Sequence, residues 1–121
     1  MTDMLTDTAH QTALLDRAIK SIGEMMILPL ADRDEVDAAV GALRQTVADV
    51  LAQTFPATDP GLAERRAQVQ EVETALDALP EEVDEAAIAI WDIARDAFRK
   101  GRRRAANERF RATRIASEEM A

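Results

Sequence analysis

Apolar residues recur along this chain at intervals of three and four, and no segment alternates with period two, so the pattern predicts helices throughout. From about Asp3 or Thr6 to Leu28, Leu15, Ile19, Ile22 and Met26 fall on one stripe, which Leu14, Ala18 and Met25 widen; Pro29 stops it. In the second segment Val36, Val40, Leu43, Val47 and Val50 recur, with Leu51 and Phe55 at its end and Pro56 closing it. That spacing is the narrow seam that antiparallel helices share. Leu62, Val69, Val72, Leu76 and Leu79 make a third stripe before Pro80. The fourth is Val83, Ala87, Ile90, Ala94 and Ala97, broadened by Ile88, Trp91 and Phe98.

Polar residues at the segment boundaries sharpen these elements. Asp32 followed by Glu35 resembles a capping box, in which the first carboxylate accepts a backbone N–H and the second reaches back to the cap. Asp59 followed by Pro60 has the preferred chemistry of a helix start. The run Pro80 to Glu85 crowds carboxylates at the positive end of the fourth helix, with Pro80 expected in its first turn.

Gly101 leaves two shapes open for the end of the chain. An unbroken helix from Pro80 to about Glu118 would be almost 60 Å long and its basic half would project. A turn at Gly101 would instead fold Arg103–Ser117 back as a fifth helix and bring Phe110 towards Trp91 or Phe98. The run Ile90, Ala94, Phe98 to Gly101, Ala106, Phe110 and Thr113 resembles one tetratricopeptide helix-turn-helix unit over about 30 residues, which implies the turn. Arg103 stands where that family has an aromatic, no proline closes the unit, and no repeat precedes it, so no peptide-binding residues follow from the resemblance. The fold expected is all-α: a single helical domain over residues 1–121, an antiparallel four-helix bundle or, with the turn, five helices.

Composition removes several chemistries. The 121 residues contain no cysteine, which excludes disulfides, thiolate metal sites and cysteine nucleophiles; a reducing cytoplasm fits. The longest uncharged apolar stretch, Met25 to Ala31, is far short of a membrane span and the start has no signal-peptide pattern, so no membrane association is expected. The single histidine, His10, has only Asp7 one turn away, and Asp32, Asp34 and Asp37 lack a calcium-loop glycine. Ser21 and Ser117 lie in no nucleophile motif, and the four glycines are isolated, so no phosphate-cradling loop forms. Neither an enzyme nor a cofactor is expected.

Charge supplies the positive signal. The net charge is −8, yet residues 1–94 hold 19 acids and 6 bases, while residues 95–114 hold nine bases against Asp96 and Glu108. Within the basic segment, Asp96 is expected to pair with Arg99 or Lys100, and Glu108 with Arg104 or Arg111. From Arg99 to Arg104 the charges leave no face free for burial. The reading is a non-enzymatic protein–protein interaction protein: an adaptor, an assembly component or an inhibitor. Its candidate contact residues are Trp91, Phe98, Arg99, Lys100, Arg102, Arg103, Arg104 and Phe110. A protein partner is expected, the acidic part of a second copy among the candidates. The alternative is a nucleic-acid-binding accessory that uses 95–114 for phosphate contacts, with the acidic remainder and the lack of interleaved aromatics against it.

Overall fold

The computed structural model describes residues 8–56 and 58–120. Four α-helices follow one another: α1 (Thr8–Glu24), α2 (Arg33–Ala52), α3 (Pro60–Asp77) and α4 (Val83–Met120), with a 3-10 turn at Met25–Ile27 after α1. The beginnings proposed for α1 before Thr8, and the pairing of Asp7 with His10, lie outside the described residues.

The boundaries follow local chemistry. Asp32 accepts the Glu35 N–H at 2.9 Å, and Glu35 reaches back to the N–H of Ala31 at 3.1 Å, one residue before the cap. Asp59 accepts the Leu62 N–H at 2.9 Å with Pro60 as the first helical residue. For α4 the start lies later than expected. The Glu82 carboxylate accepts the Glu85 N–H at 2.8 Å and its carbonyl accepts that of Ala86, so Glu82 acts as the cap. Pro80 to Glu82 form the approach to the helix, where the Glu81 carbonyl accepts a bond from Arg33 of α2.

Side-chain bonds between helices show an up-down-up-down bundle. Gln11 near the start of α1 accepts the N–H of Phe55, just past the end of α2. Arg44 of α2 reaches Asp77 at the end of α3 at 2.9 Å, while Arg66 of α3 reaches Thr54. Glu71 of α3 pairs with Lys100 of α4, and Arg65, lower on α3, with Glu108 higher on α4. Gly23 of α1 lies against Phe98, and Ile19 against Gly101, so α1 and α4 also run antiparallel. The core is one cluster drawn from every helix, in which Leu15, Ile22, Leu43, Leu62 and Ile90 are almost inaccessible. Each such side chain contributes about 1.5–3 kcal/mol by leaving water. Helix α1 packs on all three others and most extensively on α4.

Two expectations are corrected and one alternative left open is decided. Met26 is not in the core stripe, because the chain tightens to three residues per turn at Met25–Ile27 and rotates Met26 towards solvent. The chain does not turn at Gly101, so there is no fifth helix and no tetratricopeptide-like hairpin: α4 continues for 38 residues, about 57 Å. An interior glycine costs only about 1 kcal/mol, and α3 holds the charges on both sides of it. Burial does not stop at Arg99 either, since Arg104 is itself buried.

Candidate functional site

The residues singled out on α4 do not form one surface; helical periodicity divides them among three faces. Lys100 and Arg104 share the face tied to α3, whereas Trp91, seven residues before Phe98, lies on the face of Phe98 and Arg102 and is tied to the segment after α1. The Trp91 indole N–H donates to the carbonyl of Leu28 at 2.9 Å, which pins the chain after α1 against α4. Lys100 is held by Glu71 at 3.0 Å and Asp96 at 3.1 Å, and these carboxylates raise its pKa above the ordinary lysine value. Arg104 is 8% exposed; it donates to the Gln68 side-chain oxygen and has the Glu64 carboxylate 3.7 Å from Nε. That Nε is buried and makes no hydrogen bond.

Phe98 and Arg102 occupy a second face, beside α1. The Arg102 guanidinium stands 5.7 Å from the centre of the Phe98 ring, within cation–π range. They form the lip of a groove of about 350 Å³ whose inner wall includes Ile19, Ala97 and Gly101. Arg99, Arg103 and Phe110 lie on a third face, away from the core, at spacings of four and seven. Phe110 is 68% exposed, and neither arginine has an ion-pair partner among the described residues.

The deepest charged arrangement near this segment centres on Arg65, which the sequence reading passed over. The residue is 5% exposed; its guanidinium donates to Asp16 of α1 at 2.7 Å, to both carboxylate oxygens of Glu108 at 3.0 Å and to the Gly61 carbonyl at 3.1 Å. Burial disfavours its charge, and hydrogen bonds and attraction from Asp16 and Glu108 outweigh that, leaving its pKa above the ordinary arginine value. Glu108 therefore does not pair with Arg104 or Arg111, because Arg65 claims both its oxygens. Asp96 chooses Lys100, as one of the expected pairings had it. A signal for Arg65 was present: it stands three residues after Leu62 and four before Val69, inside the apolar stripe of α3.

Beyond Glu108 every α4 side chain described is exposed, and none makes a hydrogen bond or ion pair with another helix. The projecting part carries Arg109, Phe110, Arg111, Arg114 and Ile115, the last 54% exposed. Among the described residues no helix is long and apolar enough to cross a membrane, and no group of three or more histidine or acidic side chains is arranged to hold a metal ion. Comparison of the chain with protein-family models, curated proteins and solved structures gave no match.

Proposed function

We propose that this chain is a non-enzymatic helical interaction protein, an adaptor or assembly component, that presents the outer face and projecting end of α4 to a protein partner. The observation that carries this reading is the division of the basic residues. Lys100 and Arg104 are committed to α3, whereas Arg99, Arg103, Arg109 and Arg111 have no ion-pair partner among the described residues and surround the exposed Phe110. An exposed aromatic amid free arginines is the composition of an interface centre, the ring supplying affinity and the charges orientation and encounter rate. Fixing the helix on α3 through Arg65, Lys100 and Arg104 pre-organises that surface and lowers the entropy lost on binding.

A photo-crosslinking amino acid in place of Phe110, with Thr74 on the exposed side of α3 as the control position, tests the reading in cells. A discrete protein adduct is expected at 110 and not at 74, and it should disappear when Arg99 and Arg103 are replaced by glutamate. Adducts that are equal at the two positions would refute it. An adduct destroyed by nuclease would transfer the surface to the nucleic-acid reading.

A further inference from the structure

The two ends of the bundle differ in chemistry. At the end where α1 stops and α4 begins, the turn after α1 exposes Ile27 at 82%, and Ile88 on the first turns of α4 is also open to solvent. Trp91 bonded to Leu28, and Arg33 bonded to the Glu81 carbonyl, hold these segments together as one surface. Around it stand Glu24, Asp34, Glu81, Asp84 and Glu85, none of which has an ion-pair partner among the described residues. Helix-start electrostatics accounts for Asp34, Asp84 and Glu85. It does not account for Glu24, the last residue of α1, where the helix dipole disfavours a carboxylate.

At the other end, α4 presents the complement in Arg109 and Arg111, which have no ion-pair partner among the described residues, beside the exposed Phe110 and Ile115; Arg114 there is paired with Glu118 at 3.4 Å. We infer that the acidic, apolar end of one molecule receives the projecting basic end of α4 from a second copy, so that the chain assembles head to tail. This rests on the reading of α4 as an interaction surface and names its partner. Opposite charge favours the register, because two projecting ends placed side by side would set arginines against arginines. The same molecule cannot supply both halves, since α4 is a continuous helix of about 57 Å that starts at one end of the bundle and leaves from the other. Such a contact uses different surfaces on the two copies, so it closes into a ring of two or more copies or continues as a filament.

The test uses two variants at exposed positions, Ile27→Arg at the acidic end and Phe110→Asp at the basic end, with helical content checked by circular dichroism. Light scattering of the wild-type protein should show a mass that rises with concentration and falls with added salt. Each variant alone should remain at the 13.3 kDa of one chain, having lost one of the two surfaces. An equimolar mixture should recover association but stop at twice that mass, because each variant keeps one working surface. A wild-type protein monomeric from micromolar to millimolar concentration would overturn the proposal, as would a mixture that stays monomeric or a single variant that still dimerises. A monomeric wild type whose position 110 still crosslinks a different protein in cells would refute self-assembly and leave the interaction reading standing.

Discussion

Arg65 offers an asymmetric test of how the projecting helix is anchored. Its side chain is 6% exposed, while those of its partners Asp16 and Glu108 are 51% and 47% exposed. If the carboxylates are removed, the guanidinium stays buried with only the Gly61 carbonyl; if the arginine is removed, the carboxylates relax into water. Removing one side of a buried pair costs about 3–5 kcal/mol, whereas replacing the buried charge by an apolar chain of similar volume is often neutral. For Asp16→Ala with Glu108→Ala, about 1 kcal/mol returns through alanine's helix propensity, leaving a loss of about 2–4 kcal/mol. Arg65→Met should stay within about 1 kcal/mol of wild type. In urea unfolding followed by circular dichroism, the double variant should lose about 1.5 M in midpoint at an m-value near 2 kcal/mol/M, and Arg65→Met less than about 0.5 M. A larger loss for Arg65→Met than for the double variant would refute the reasoning.

Gly101→Ala should stabilise the protein by about 0.5–1 kcal/mol in the same assay, because the added Cβ meets only the Ile19 methyl at an ordinary 3.5 Å. Gly23→Ala should destabilise it by about 1–3 kcal/mol, since its Cβ would stand 3.1 Å from the Cβ and 3.3 Å from the Cα of Phe98; thermal melts of the two variants should shift in opposite directions. Asp32→Ala should cost about 1 kcal/mol through loss of the α2 cap, and Glu35 should not compensate, since its carboxylate serves the N–H of Ala31. The folded state raises the pKa of Lys100, so its pairing with Glu71 and Asp96 contributes fully below the ordinary lysine value and is lost as pH rises through the raised one. The stability difference between wild type and Lys100→Met should therefore be constant around neutral pH and vanish in strong alkali, as paired denaturation curves would show.

The helical class and the α2 and α3 starts were legible because Asp32, Asp59 and Pro60 act on N–H groups a few residues away. The start of α4 was less so: Glu82 is a weak capping type, and the approach from Pro80 is held by Arg33 of another helix. Gly101 could not be resolved locally, since its roughly 1 kcal/mol cost is set against contacts that α3 supplies from more than 25 residues away. The candidate surface was legible as a charge cluster but not as three faces. Which basic residues are free depends on where Gln68, Glu64 and Glu71 fall on α3: Gln68 and Glu64 meet Arg104, and Glu71 meets Lys100.

The extensive packing of α1 on α4 carries a consequence for synthesis. Gly23 meets Phe98 and Ile19 meets Gly101, so the surface that completes the core of the first helix is among the later ones made. At about 5–20 residues per second, Ile19 leaves the peptidyl-transferase centre roughly 4–16 s before Gly101. During that interval the nascent chain holds an apolar helix face that α2 and α3 only partly cover, a site for chaperone capture that closes when the first half of α4 arrives.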